Sequence, residues 1–177
     1  MGTSWRAPAE VVDLLRIVKE KHHSPRLDMA AVAVCFDNGK PFLKNKLNLG
    51  KLTKFSAAAK LWQREKYDFC LCIPSDLWSN VFTTSAAREA YLDLHLTRCS
   101  MEYIPEMYDE NNKKKKVVDE HGRIKYTAEP KYDDDGNPKW KIEPMDLEVF
   151  AKNVSRYGLW QDDLFVLHEA MNSCPNT

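Results

Sequence analysis

The segment Tyr67–Ile73 constrains the fold most narrowly, because it is the most strand-like run in the chain. Its apolar and aromatic residues suit a pleated, buried strand, and a Pro-Ser-Asp turn at 74–76 ends it. Met29–Phe36 is short, apolar and partly β-branched, which predicts a second buried strand. Leu43–Thr53 is rich in lysine, and lysine protects a strand edge, so this segment predicts an edge strand of the same sheet.

Helices are predicted before and after these strands in the sequence. Apolar residues recur at helical spacing in Pro8–Lys21, and Ser85–Met101 predicts a longer helix. Pro144–Tyr157 begins with a proline suited to the first helical position and is followed by Gly158, which suits a helix end. The His-His pair at 22–23 is predicted to be a solvated helix end rather than a pair of metal ligands. The expected fold class is therefore α+β.

Between the last two helices the sequence predicts mostly turns and loops. Glu106–Lys116 is polar and contains four consecutive lysines, so it is expected to be a solvated loop. His121-Gly122 predicts a hairpin turn, and Asp133–Asn137 predicts a second one. The aspartates of the second turn lack the glutamate that ends an EF-hand loop, so we expect a tight turn rather than a calcium site.

The bulk composition favours one globular domain over residues 1–177. The 26 Lys and Arg balance the 26 Asp and Glu, which gives no overall field for nucleic acid. No apolar run approaches the roughly 18 residues of a membrane span, and Met1–Arg16 lacks the pattern of a signal peptide. The five cysteines, an odd number, favour reduced thiols and a cytoplasmic location. Cys70 and Cys72 would share one strand face, and we interpret them as buried apolar residues rather than a zinc site.

Four phrases of the sequence together resemble one family. They are KYDFCLCIPSDLW (Lys66–Trp78), AREAYLDLHLTRCS (Ala87–Ser100), GNPKWKIEPMDLEVF (Gly136–Phe150) and RYGLWQDDL (Arg156–Leu164). In order and spacing they are similar to the phage metallopeptidase domain. The resemblance covers about residues 8–164 and leaves 165–177 as a C-terminal tail. It implies a small zincin-like fold in which a short sheet packs on two long helices.

The resemblance also implies a zinc site, and this sequence departs from it at every ligand. Family members carry an H-E-x-x-H helix, in which two histidines one turn apart bind zinc and the glutamate acts as general base. Aligned on Leu92-Asp93, the first histidine falls on Leu94, the glutamate on His95 and the second histidine on Arg98. The histidine of the later helix falls on Met145. The expected protein is a pseudo-metallopeptidase without cofactor, because leucine and methionine do not serve here and arginine keeps its proton.

A shifted register remains an alternative. His95 and Cys99 lie at i and i+4, and Asp146 would complete a Cys/His/Asp zinc set one residue out of phase. A shift of one residue turns the site by about 100° around the helix. Under this alternative the protein is a metal-dependent peptidase or hydrolase.

The sequence therefore leaves three competing hypotheses about function. The first is a non-catalytic phage protein that binds and modulates a host protein, with the old cleft filled by side chains. The second is the enzyme with the shifted site. The third is nucleic-acid binding through the lysine-rich segments Lys40–Lys54 and Lys113–Lys116. The binding residues, the partner and the oligomeric state do not follow from the sequence.

Overall fold

The computed structural model describes residues 3–43, 46–61, 63–110, 113–144 and 147–158. The chain divides into two compact units. The first unit comprises Met1–Cys99 and Ile142–Thr177, and the second comprises Ser100–Lys141. The prediction of one domain over the whole chain stays a prediction.

The described part of the first unit combines short strands with helices. Its elements in chain order are β1 (Ser4–Arg6), α1 (Ala9–His23), β2 (Val32–Asp37), β3 (Phe42–Leu43), β4 (Lys46–Leu47), β5 (Lys51–Lys54), α2 (Ala57–Leu61), β6 (Phe69–Pro74), one π-helical turn (Leu77–Val81), α3 (Ser85–Arg98) and, after the second unit, α4 (Leu147–Tyr157). The predicted α+β class is thus confirmed.

A four-stranded sheet in the order β1-β2-β6-β5 forms the base of the first unit. β2 and β6 run parallel, with Val34 opposite Leu71, while β1 and β5 are antiparallel edge strands. Val34, Phe36, Leu71 and Ile73 are buried on one face, as alternation along a strand requires. The predicted strands at Met29–Phe36 and Tyr67–Ile73 are confirmed by β2 and β6. The region Leu43–Thr53 joins the sheet only through β5, since β3 and β4 pair with each other in a separate two-stranded sheet. The short β1 escaped prediction because its three exposed residues carry no apolar alternation.

The helices cover the buried face of this sheet and complete the core. In α1 the buried residues Val11, Leu15 and Val18 follow the predicted helical spacing. The Thr84 side chain caps α3 by accepting a hydrogen bond from the Ala87 amide. α3 contacts both α1 and α4, which confirms that the two predicted long helices pack together. α3 ends at Arg98 rather than at Met101, because the next three residues form a strand.

The second unit is built from antiparallel pairs of strands. They are β7 (Cys99–Met101) with β12 (Trp140–Ile142), β8 (Tyr103–Pro105) with β11 (Tyr126–Pro130), and β9 (Met107–Glu110) with β10 (Lys113–Lys116). The loop predicted at Glu106–Lys116 is wrong. Lys115 lies opposite Tyr108 and Lys116 opposite Met107, so the lysine run gains cross-strand neighbours that a solvated loop lacks.

Both predicted turns of the second unit are confirmed. The Asp119 carboxylate accepts hydrogen bonds from the amides of His121 and Arg123. The Asp133 carboxylate does the same for Asp135 and Asn137. Gly122 and Gly136 supply the positive φ that such turns need.

Gly50, just before β5, lies close to the backbone of β6. Its φ is +74°, and an added Cβ would lie 2.3 Å from the carbonyl oxygen of Cys72. Gly122 has the same φ of +74°, but an added Cβ there meets nothing within 4 Å. Comparing the same substitution at Gly50 and at Gly122 therefore separates the cost of backbone strain from the cost of a clash with β6.

We predict that Gly50→Ala lowers the free energy of unfolding by about 3 kcal/mol or more, since strain and clash add. Gly122→Ala, the matched control, should lose only about 1 kcal/mol. Urea denaturation of both variants measures the difference. Equal losses would show that the approach of Gly50 to β6 does not matter.

Candidate functional site

Leu94 and His95, which the resemblance places at the first histidine and the glutamate of the zinc motif, lie in the interior of the first unit. Every residue from Ala90 to Leu96 on α3 is buried, and Leu94 is only 2% exposed. Such burial all around a helix is typical of a central core element. Leu94, in the position of the first histidine, therefore lies in packed surroundings.

Arg98, in the position of the second histidine, binds main chain. Its Nε donates a hydrogen bond to the carbonyl oxygen of Glu143 at 3.2 Å. The Glu143 amide donates in turn to the carbonyl oxygen of Arg98 at 2.8 Å. The end of α3 is thus tied to the segment that leads towards α4. Met145 and Asp146 themselves lie outside the described residues.

His95, in the position of the catalytic glutamate, is held by the loop before β5. Its Nε2 lies 3.0 Å from the carbonyl oxygen of Leu49, which also accepts a hydrogen bond from the Tyr91 hydroxyl at 2.8 Å. A carbonyl only accepts, so Nε2 carries the ring proton. Nδ1 is then the acceptor, and it is buried without a hydrogen-bond partner among the described residues.

Burial controls the ionisation of both described members of the shifted set. It lowers the pKa of His95 to about 4, helped by the positive charge of Arg98 and opposed by the Leu49 carbonyl. It also raises the pKa of the Cys99 thiol to about 12. The Cys99 thiol donates to the carbonyl oxygen of His95 at 3.6 Å. Within the described ranges, no group of three His, Cys, Asp or Glu side chains is arranged to hold a metal. The set with Asp146 stays a prediction.

A buried carboxylate that the sequence reasoning passed over lies one residue before the motif. Asp93 is fully buried and accepts hydrogen bonds through both oxygens. Oδ1 contacts His23 Nε2 at 2.7 Å and Arg156 at 2.5 Å, and Oδ2 accepts from Asn153 at 3.0 Å. We call these four residues with Arg26 the Asp93 cluster. It joins α1, α3 and α4.

The protonation state of the Asp93 cluster follows from its donors. The Arg26 guanidinium donates to His23 Nδ1 at 2.7 Å, so the neutral imidazole carries its proton on Nε2 and donates it to Asp93. Burial lowers the pKa of His23 despite the hydrogen bond to Asp93. Burial alone would raise the pKa of Asp93, but the hydrogen bonds from His23 and Arg156 outweigh it and lower that pKa.

The prediction that the His-His pair at 22–23 is a solvated helix end is wrong for His23. It is 3% exposed, whereas its neighbour His22 is half-buried. The signal that could have found the cluster is Asp93 itself, a charged residue inside the apolar run of α3. A charge on a fully buried helix requires partners of opposite charge or hydrogen-bond donors.

The cysteines of the sheet form a second group of polar atoms. Cys35, Cys70 and Cys72 are free thiols on the face opposite the core, and the Cys35 and Cys70 sulfurs are 3.7 Å apart. Cys70 and Cys72 share one face as predicted, but they are half-buried rather than buried. Burial raises the pKa of both Cys35 and Cys70.

The buried histidines predict that acid destabilises the protein. An unfolded histidine titrates near 6.5, and folded His95 titrates near 4, so between these values only the unfolded state takes up the proton. The stability that neutral His95 contributes is therefore complete above pH 6.5. It is lost as the pH falls towards 4, by about 3 kcal/mol. The lowered pKa values of His23 and Asp93 act in the same direction.

Urea unfolding at pH 7 and pH 4 measures this loss. His95→Gln keeps a donor for Leu49 but does not titrate, so the variant should lose about 3 kcal/mol less than the wild type over the same interval. The same loss in both proteins would contradict the assignment to His95.

The comparison with known families identifies the scaffold. Residues 3–168 match a family described as "Putative phage metallopeptidase". Comparison with curated proteins and with solved structures gives no match. Among the described residues, no helix is long and apolar enough to cross a membrane. The family match spans nearly the whole sequence, and the chain therefore belongs to the phage metallopeptidase family.

Proposed function

We propose that this phage metallopeptidase homologue is non-catalytic and acts by binding and modulating a host protein. Zinc in such a fold needs at least three nitrogen, sulfur or oxygen ligands. Leu94 offers none, and Arg98 keeps its positive charge and is engaged with the Glu143 carbonyl. The absence of both helix ligands supports the interpretation that the protein keeps the family scaffold but not its metal chemistry.

The position of the general base supports the same proposal. The base must be free to take a proton from a metal-bound water. His95 stands at this position, but its Nε2 proton is hydrogen-bonded to the Leu49 carbonyl. Its ring makes a T-shaped contact with Tyr91, with ring centroids 4.8 Å apart. It is 2% exposed, so substrate does not reach it in this conformation.

The observation that favours a protein partner is the apolar surface of the second unit. Most of the large hydrophobic side chains that are exposed in the described part of the chain lie in this short unit. They are Ile104, Met107, Tyr108, Val118, Ile124, Tyr126 and Tyr132. Tyrosine and methionine are enriched at protein interfaces, and exposed apolar surface is a common mark of them.

The test is capture of a host protein from bacterial lysate by the immobilised protein. Tyr108→Ser with Tyr132→Ser should reduce the captured amount at least about ten-fold, because exposed aromatics are typical binding hot spots. Val12→Ser with Ile17→Ser changes exposed apolar residues on α1 and should leave capture unchanged.

Two results would contradict the proposal. Equal capture by both double variants would remove the second unit from the interface. Zinc-dependent cleavage of casein or of the captured protein, absent after treatment with a chelator, would favour the enzyme with the shifted site instead.

A further inference from the structure

The second unit contains a cavity of about 270 Å³ that the proposed function leaves without an occupant. Its walls come from several strands of this one unit. The lining residues are Glu102, Tyr103, Pro105, Lys116, Tyr126, Lys131 and Lys141. The volume lies just below the ~300–1,000 Å³ of small-molecule sites, so it suits one or two side chains of a partner.

Main-chain hydrogen bonds link the segments that contain Glu102 and Lys131, two of the lining residues. The Glu102 amide donates to the Lys139 carbonyl at 2.7 Å, and the Glu102 carbonyl accepts from the Lys131 amide at 2.8 Å. The Lys139 amide donates to the Lys131 carbonyl at 2.8 Å. Three chain segments thus fix the positions from which Lys131 and its neighbours extend. A site on such a frame loses little entropy when it binds.

The charge of the lining is positive. The lining carries three ammonium groups, those of Lys116, Lys131 and Lys141, and one carboxylate, that of Glu102, which lies 3.7 Å from the Lys131 ammonium. The excess of positive charge among the lining residues favours an anion. Lysine binds a carboxylate or a phosphate as a point charge.

The same cavity offers an apolar wall. Tyr126 is 51% exposed, and it lies opposite Pro105 in the pairing of β8 and β11. The Lys141 ammonium lies 5.6 Å from the centre of the Tyr126 ring. A ligand that carries both a negative charge and an apolar or aromatic group would use both halves of this lining.

The distribution of charge outside the cavity favours a short anionic segment over a polyanion. The turns of the second unit carry acidic residues at Asp119-Glu120 and Asp133–Asp135, all of them half-buried or exposed. This negative charge on the turns of the same unit opposes the binding of a long polyanion such as a nucleic-acid strand. A peptide that inserts one acidic stretch into the cavity avoids it.

We propose that this cavity binds an acidic peptide segment, with an adjacent aromatic residue, of the protein partner. This inference rests on the proposed function, since it names the chemistry by which the partner is recognised. The carboxylates pair with Lys116 and Lys131, and the aromatic side chain packs against Tyr126.

The experiment is fluorescence anisotropy with a labelled peptide of glutamate and aspartate around one tryptophan. The wild-type protein should bind it, and raising the salt from low to physiological ionic strength should weaken binding. Lys116→Glu with Lys131→Glu should raise the Kd at least about ten-fold. Lys125→Glu reverses an exposed charge in the same unit outside the cavity lining, and it should change the Kd less than about two-fold. Unchanged melting temperatures show that the variants fold.

Three results of the peptide experiment would overturn the inference. They are equal peptide affinity for wild type and the double reversal, equal affinity for a peptide with glutamine and asparagine in place of the acids, and tighter binding of an oligothymidylate than of the acidic peptide. Capture of a host protein that survives Lys116→Glu with Lys131→Glu would sink this inference alone. Loss of capture only on changing Tyr108 and Tyr132 would leave the proposed function standing.

Discussion

The fold of the first unit depends on the buried carboxylate of Asp93. Taking a carboxylate out of water is costly, and an unpaired one would destabilise the protein by several kcal/mol. His23 from α1 and Arg156 with Asn153 from α4 compensate this cost by donating to both oxygens. Each of these helices must hold its register for Asp93 on α3 to be satisfied, so the cluster fixes three helices at one point.

This cluster holds α3 in place through contacts that involve no metal ligand among the described residues. By the resemblance described above, Asp93 stands just before the family motif, and Leu94 and Arg98 stand at its two histidine positions. The position of α3 is set by the Asp93 cluster on one side and by the hydrogen bonds of Tyr91 and His95 to Leu49 on another. Neither set needs a metal. Under the proposed function, the second unit provides the surface that contacts a partner.

Sequence reasoning predicted those features that have a local cause. The strand at Tyr67–Ile73 and the helical spacing of α1 follow from residue type and period, and the two hairpin turns follow from their Gly and Asp residues. Two pairings were missed. The lysines of β10 pair with the neighbouring strand β9, although their charge favours a solvated loop. His23 is buried against Asp93, which lies 70 residues away in the sequence, and the local pattern around His23 does not show that partner.

The dependence of the unfolding free energy on zinc tests the central claim, a metallopeptidase scaffold that no longer needs metal, most directly. A metal bound only by the folded state stabilises it by about 2.7 kcal/mol at roughly 100 times its Kd. Urea denaturation of the unmodified protein should give the same free energy in excess zinc and in excess chelator, within about 0.5 kcal/mol. Stabilisation by zinc of about 2 kcal/mol or more, removed by Cys99→Ala, would contradict this account.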